Sequence, residues 1–499
     1  MPKLILAHDL GTTGNKALLF DAEGGLLASA FEGYPTDYPQ PGWAEQDPAD
    51  WWRAVCYSTQ KVLAESGCSP KDIAVVSFSG QMMSCLPVSA EGLPLRKAII
   101  WADQRAEAEA SWMAERLGAA EGYTITGHRL SASYTAAKLL WVRAKQPELY
   151  ARTFKVLQAK DYVVWKLTGV FATDYSDASG TNLFDLRSRR WSNEILSTLE
   201  IAPELLPIAV PSATVVGDVT RAAAEATGLI PRTPVIIGGG DGACATVGAG
   251  AVHPGIAYGY IGSSAWISSV SHEPLADPLC RLGNFAHPDP AYVFPTGSMQ
   301  AAGGAYDWLE RILRGDEPGH LYQQLEHLVA AVEPGAKGLI FLPYLIGERS
   351  PYWNPRARAA FVGLSMAHGR AEMARAVLEG VAFHLRLILD VFKELGVGIS
   401  ALRLIGGGAR SAVWRQIIAD ICGVPLLRPE LSVEATSLGA AIAGGLGVGL
   451  YPDYRVADQL VQLASAEEPR PAVAAQYDDL YGIFQRSYVA LAPIYELLL

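Results

Sequence analysis

The stretch Leu4-Ile5-Leu6-Ala7-His8-Asp9-Leu10-Gly11-Thr12-Thr13-Gly14-Asn15-Lys16-Ala17-Leu18-Leu19-Phe20 places two short apolar runs, Leu4 to Ala7 and Ala17 to Phe20, on either side of a turn rich in glycine and threonine. The pattern predicts two strands joined as a tight β-hairpin. Its turn also has a chemistry. Gly11 and Gly14 let backbone N–H groups approach an anion, Thr12 and Thr13 add hydroxyls, and Lys16 adds a charge, a set that suits a phosphate. Asp9 is a carboxylate suited to Mg²⁺, bound directly or through water. Taken alone, the segment reads also as an ordinary hairpin with Gly and Thr in its turn.

The same design returns far along the chain. Gly259-Tyr260-Ile261-Gly262-Ser263-Ser264-Ala265-Trp266-Ile267 lies within a second strand, turn and strand from Ile256 to Val270, with hydroxyls in its turn but no charge. Two such hairpins opening two halves of one chain point to a nucleotide phosphate tail gripped from both sides. The small, turn-rich run from Gly248 to Gly255 separates them, so the expected domains are 1–250 and 251–499, with the site in a cleft between the halves.

Between the hairpins and beyond them, Ile73 to Phe78, Val235 to Ile237, Leu339 to Leu342 and Leu402 to Ile405 read as further strands. They alternate with longer amphipathic stretches, which is an α/β pattern. Arg370 to Leu395 contains no proline and carries Met373, Val377, Val381, Leu385, Ile388 and Phe392 at helical spacing, predicting one long, partly buried helix. The stretch from Tyr451 onward looks helical and acidic and carries no assignable chemistry.

Composition narrows the function classes. The chain has 499 residues, half of them hydrophobic and 18% charged, which is enough for two or three large cores and unlike a disordered chain. With 40 basic and 51 acidic side chains its net charge is −11, and no block of like charge occurs, which argues against nucleic acid or an anionic membrane as partner. Six scattered cysteines and nine histidines form neither a Cys-x-x-Cys nor a His-x-x-x-His cluster, so no zinc or haem site and no disulfide framework is expected. No apolar run is long enough for a signal peptide or a membrane span, and a cytoplasmic location is expected.

Three further segments carry candidate chemistry. Ile236-Ile237-Gly238-Gly239-Gly240-Asp241-Gly242-Ala243 ends a strand in glycines and delivers one acid, which reads either as a helix cap or as a base for a substrate hydroxyl that attacks a phosphoryl group. In Leu402 to Ser411 a strand leads through Gly406-Gly407-Gly408 into a helix from about Ala412 to Cys422 that Gly423 ends, allowing close backbone approach of a planar or phosphate-bearing ligand. It is neither the Gly-x-Gly-x-x-Gly fingerprint nor a Walker A loop. Ser79-Gly80-Gln81-Met82-Met83 and Trp101-Ala102-Asp103-Gln104-Arg105 mix flat apolar with polar groups as sugar sites do. The alternative for these is core packing by Met82, Met83 and Trp101 and a surface pair between Asp103 and Arg105.

In this order along the chain the segments resemble the FGGY carbohydrate kinase family, nearest to its branch acting on xylulose. One signature is recognisable in Ser133-Tyr134-Thr135-Ala136-Ala137-Lys138-Leu139-Leu140-Trp141-Val142, though Ala144 and Lys145 stand where acids or amides usually follow. A second runs from Ala359-Ala360-Phe361-Val362-Gly363-Leu364 through Glu372-Met373 to Ala376-Val377-Leu378-Glu379. Gly347-Glu348-Arg349-Ser350-Pro351, and Gly406 to Ser411 with Trp414-Arg415-Gln416, fit the same family.

The resemblance implies two ribonuclease H-like domains of the actin and hexokinase type, with ATP and sugar in the cleft between them. It implies Asp241 as general base and sugar contact, Asp9 and Asp241 as the Mg²⁺ carboxylates, and Gln81, Met82, Met83, Trp101 and Asp103 as sugar contacts. Thr12, Thr13, Asn15 and Lys16, with Gly262 and Ser263, would face the phosphates of ATP, and Gly407, Gly408 and Ser411 would lie near the adenosine. The implied reaction is ATP-dependent phosphorylation of a terminal hydroxyl of a small ketose, D-xylulose to D-xylulose 5-phosphate. Met83 stands where that branch usually has His, so ribulose, erythritol and glycerol remain alternative acceptors. From another class, an actin- or chaperone-like switch ATPase would use the same cleft. The oligomeric state is left open, a homodimer included.

Overall fold

The computed structural model describes residues 3–315 and 319–498. Its contacts divide the chain into two compact units, one formed by 1–252, 271–294 and 434–461, the other by 253–270, 295–433 and 462–499. A single boundary at 250 therefore marks only where the chain first leaves the first unit.

The first unit is built on a mixed seven-stranded sheet. Strand Leu4–Leu10 lies at its centre, antiparallel to Gly14–Phe20 and parallel to Ile73–Gly80. Leu26–Gly33 continues the sheet on one side, and Pro234–Ile236 and Val215–Asp218 on the other. The central strands are apolar at nearly every position because both faces are covered. Leu4, Leu6, Val76, Phe78 and Val235 join Trp51, Val55, Tyr162 and Val163 in one core. Helix Pro48–Ser66 covers that face. It starts where Asp47 accepts from the Ala49 N–H and Pro48 fits the first turn, and it stops at Gly67 in the left-handed region.

Helix Ala435–Gly447 packs on Leu4–Leu10, on Ile73–Gly80 and on helix Asp241–Gly248. The two helices touch backbone to backbone. A Cβ at Gly248 would lie 1.7 Å from the Ala435 carbonyl oxygen, and one at Gly439 1.8 Å from that of Cys244. Only glycine permits this approach at either position, which brings a segment nearly 200 residues downstream into the first unit.

The second unit carries its own mixed sheet. Six of the strands in this sheet follow one another in the order Val293–Met299, Ala265–Ser269, Ala257–Ile261, Leu402–Ile405, Leu426–Pro429 and Leu463–Glu467. The hairpin pairs Ala257 with Ser269 through Ile261 with Ala265, and Ala257–Ile261 runs parallel to Leu402–Ile405, repeating the arrangement of the first unit. The long helix expected from Arg370 spans Arg370–Glu394, and Ala412–Cys422 ends at Gly423 with φ 68°. Helix Pro471–Tyr495 fills the C-terminal stretch, anchored where Tyr477 donates to Glu379 and accepts from Arg375.

Candidate active site

Sheet register assembles the acidic end of the first unit. In the ladders Asp9 pairs with Lys16 on one side and with Ser79 on the other, and Ser79 pairs in turn with Gly239. Gly240 pairs with Gly80, and the chain then enters helix Asp241–Gly248 with Asp241 as its first residue. Side chains of laterally paired residues share a sheet face. Lys16, Asp9 and Ser79 thus form a row beside the point where Asp241 emerges.

The two carboxyl groups feel each other. The Asp241 pKa is pushed up to about 7, chiefly by withdrawal from water and then by the charge of Asp9, while the N–H groups at the helix start pull it down. One of those, Gly242 N–H, donates to Asp241 Oδ1 at 2.7 Å. Asp9 is also raised by burial, with Ser79 and Lys16 working in the opposite direction. Lys16 Nζ lies 3.1 Å from Glu434 Oε1.

The hairpin turn is held from behind. Gly11 N–H donates to the Gly14 carbonyl at 3.0 Å, and the Tyr34 hydroxyl donates to the Gly11 carbonyl. Gln46 Nε2 donates to the Thr12 carbonyl at 2.7 Å, and Trp101 Nε1 donates to Thr12 Oγ1 at 2.9 Å. Thr13 is exposed and its carbonyl accepts from Tyr34 N–H. Gln81 is buried, with Nε2 donating to Gln46 Oε1 at 2.7 Å and Oε1 without a hydrogen-bond partner.

Beside Asp241 stands an apolar wall. Met82 packs with Ala243, Phe285 and Phe294, and half-buried Met83 lies against them. Met82 runs so close to the glycines before Asp241 that a Cβ at Gly240 would fall 2.6 Å from its Sδ. Met83 is in the left-handed region with φ 65°, and its carbonyl accepts from Lys138 Nζ at 2.8 Å.

Three expectations are corrected. Asn15 does not offer its side chain to phosphate: it is fully buried, within hydrogen-bond distance of His8 Nδ1 at 3.0 Å and donating to Ser58 Oγ at 2.7 Å. Strand alternation is the cause, since Asn15 and Lys16 must face opposite sides of the sheet. Asp103 is no sugar contact, because its buried carboxylate accepts from Ala44 N–H and from the Arg105 N–H groups. That pair is not on the surface either, as the Arg105 guanidinium is buried over the Trp43 ring. Ser411 spends its hydroxyl on structure, accepting from Trp414 N–H as the cap of its helix and donating to Glu326 Oε1 at 2.7 Å.

In the second unit Gly262 and Ser263 form the hairpin turn. Their carbonyls accept from the N–H groups of Ala302, Gly303 and Gly304 at the start of helix Gly303–Arg314, leaving the Ser263 side chain exposed. Gly406 adopts φ 89°, and a Cβ at Gly408 would fall 2.4 Å from Ile261 Cγ2, whereas Gly407 faces open space. The glycine run and the hairpin strand are therefore in direct contact.

The first unit holds two carboxyls of the kind that a divalent ion takes. Among the described residues no group of three or more His, Cys, Asp or Glu side chains could hold a metal, but Asp9 and, beside its row, Asp241 are two buried, mutually repelling carboxyls. That matches a Mg²⁺ site of one or two carboxylates completed by substrate phosphates and water. Among the described residues no helix is long and apolar enough to cross a membrane.

Sequence reasoning missed Glu434, Phe285 and Phe294. Ser79 stood in the segment expected to contact a sugar, and its place beside Asp9 comes from the pairing of the two strands. Glu434 and the phenylalanines become neighbours of the site only through the return of 271–294 and 434–461 to the first unit.

Comparison with known proteins gives concordant results. The pattern of the FGGY family of carbohydrate kinases, N-terminal domain, matches residues 4–248, and that of the C-terminal domain matches residues 257–448. The chain is 33% identical to a xylulose kinase of Bacillus subtilis (strain 168), over 97% of either chain. It is 32% identical to a gluconokinase of the same organism, over 97% of this chain and 95% of that one. Its structure matches that of a ligand-bound xylulose kinase from Lactobacillus acidophilus with a TM-score of 0.93, 30% identity and full coverage of both chains.

Proposed function

The chain belongs to the FGGY family of carbohydrate kinases and is an ATP-dependent sugar kinase, and on that premise we propose that it transfers the γ-phosphoryl group of ATP to the terminal hydroxyl of D-xylulose, giving D-xylulose 5-phosphate. The observation that carries the reading is Asp241, an acid at a strand end beside a second carboxyl, with its pKa raised to about 7. A carboxylate tuned to that range is well matched to accept a hydroxyl proton.

In the proposed reaction the ketose hydroxyl lies within hydrogen-bond reach of Asp241. As the oxygen attacks the γ-phosphorus in line, its proton passes to Asp241 and ADP leaves. Lys16 neutralises charge on the phosphates, and the Gly11 to Gly14 turn offers backbone N–H groups and the Thr12 and Thr13 hydroxyls. Asp9 and Asp241 would hold Mg²⁺, which when bound supplies positive charge against the phosphate oxygens. Gly262 and Ser263 are assigned to the phosphates, and Gly407 and Gly408 to the adenosine. Met82, Met83 and Trp101 offer flat apolar surface to the sugar, and Gln81 Oε1 is a buried acceptor without a partner.

The similarity to xylulose kinases supports the acceptor, and the gluconokinase relative is the observation that favours a second one. The test is ADP release with Mg-ATP against D-xylulose, L-xylulose, D-ribulose, L-ribulose, gluconate, erythritol, glycerol and a blank without sugar. D-xylulose turning over fastest supports the proposal, and gluconate or another acceptor in first place replaces it. A blank equal to every sugar would favour a switch ATPase.

A further inference from the structure

Behind the strand end that carries Asp241 lies a charge cluster that the proposed reaction does not use. Lys160 Nζ sits 2.8 Å from Asp161 Oδ1, 3.0 Å from Asp174 Oδ1 and 3.0 Å from Asp177 Oδ2, and all four side chains are fully buried. Removing such groups from water is costly, and apolar replacements often fold as well or better. The cluster calls for a reason beyond stability.

Its outward connections supply one. Asp174 Oδ2 accepts from the hydroxyls of Ser176 at 2.5 Å and Ser212 at 2.8 Å. Ser176 Oγ then accepts from the N–H of Gly240 at 2.9 Å, the residue immediately before Asp241. On the neighbouring strand, a Cβ at Gly80 would fall 2.9 Å from Lys160 Cβ. Gly80 and Gly240 are paired in the ladder, so both strand exits are set against one buried block.

We propose that Lys160, Asp174 and Ser176 form a positioning relay for Asp241, fixing the carboxyl through the hydrogen bond from Gly240 N–H to Ser176 Oγ. The inference rests on Asp241 being the base. Ion pairing to Lys160 orients the Asp174 carboxylate. That carboxylate accepts the hydrogen bond of the Ser176 hydroxyl, which leaves an oxygen lone pair turned toward Gly240. Gly240 is buried, and without Ser176 its N–H would be an orphaned donor free to rotate the peptide that aims Asp241.

Ser176 and Ser212 provide a matched pair for the test. Each donates to the same oxygen of Asp174, and only Ser176 also receives the Gly240 N–H. Steady-state kinetics on the best acceptor, with melting temperatures, would be compared for Ser176→Ala, Ser212→Ala and Ser176→Cys. We expect Ser176→Ala to lose roughly 10- to 100-fold in kcat, the range for a misplaced reacting group. Its KM for ATP should stay within about twofold of the parent, and its melting temperature should match that of Ser212→Ala, which keeps its kcat. Ser176→Cys, nearly isosteric but a weaker acceptor, should fall between parent and alanine, and it serves alone if the alanine variant does not fold. Unchanged kcat in both Ser176 variants, or equal kcat losses in Ser176→Ala and Ser212→Ala, would overturn the relay. Normal turnover in Asp241→Asn would instead remove the base assignment beneath it.

Discussion

Lys16 and Glu434, 418 positions apart in sequence, are joined by a hydrogen-bonded ion pair of 3.1 Å between Nζ and Oε1. Both side chains are about a quarter exposed, so the pair is worth no more than about 1 kcal/mol. If Lys16 serves the phosphates of ATP, Glu434 competes for it. Glu434→Gln should then lower KM for ATP by about two- to fivefold, while Lys16→Met should raise it by at least about tenfold, the worth of a lost charge-assisted hydrogen bond. Initial-rate measurements at fixed sugar decide. An unchanged KM for ATP in Lys16→Met would remove the lysine from the phosphate site.

Asp9 and Asp241 repel each other with little water to screen them. Asp241→Asn keeps the shape and removes one charge. Turnover should fall by about 10² to 10⁴, the usual worth of a general base. Thermal unfolding in magnesium-free buffer should at the same time move upward, because the amide ends the repulsion between the two acids. A variant both slower and more stable is the signature of a site held at the expense of folding energy. One that is slower and less stable would point to a structural role for Asp241.

Met83 tests specificity. It lies against Phe285, Phe294 and Ala243 and offers no polar atom beyond its thioether. Met83→His would introduce an imidazole able to pair with a sugar hydroxyl, and sites built on such pairs discriminate strongly. The ratio of kcat/KM for D-xylulose to that for gluconate should change by about tenfold or more. A ratio that stays fixed would show that position 83 does not face the acceptor.

These residues also mark how far the sequence could be read. The two hairpins, the strand ending in glycines before Asp241 and the helix closed by Gly423 follow from local rules of alternation, turn chemistry and capping, and the structure contains each of them. The direction of Asn15 was equally local, since a strand that presents Lys16 to one face must turn Asn15 to the other. Asp103 was not readable, because nothing near it in sequence says that Ala44 and the ring of Trp43 enclose the pair it makes with Arg105. The place of Glu434 depends on a contact between distant segments, whereas the Lys160 cluster is drawn from the single stretch 160–177 and is set apart by its burial. A lysine beside an aspartate in sequence is indistinguishable from a solvated pair until the fold closes around it.

Glu348 offers a test of the second unit that is independent of catalysis. Its Oε1 accepts from the N–H groups of Arg349 at 2.7 Å and Gln300 at 2.9 Å, while Oε2 is buried without a hydrogen-bond partner. Burial pushes its pKa up to about 8, against the pull of those N–H groups and of the Arg349 charge. His384, whose Nε2 is 3.6 Å from Oε2, is pushed down to about 4, also by burial. Between pH 4.5 and 8 the unfolded glutamate gives up its proton while the folded one keeps it, so this group costs stability as pH rises through that window. The histidine works the other way between pH 4 and 6.5, where only the unfolded ring is protonated. Below pH 6.5 the two oppose each other, and from 6.5 to 8 the glutamate acts alone, over 1.5 pH units at about 1.4 kcal/mol each, or about 2 kcal/mol. Glu348→Gln keeps the Oε1 acceptor and has no proton to lose. The variant should therefore melt above the parent at pH 8, with the gap narrowing at pH 6.5. Parallel pH dependence in the two proteins would mean that the Glu348 carboxyl is ionised in the fold.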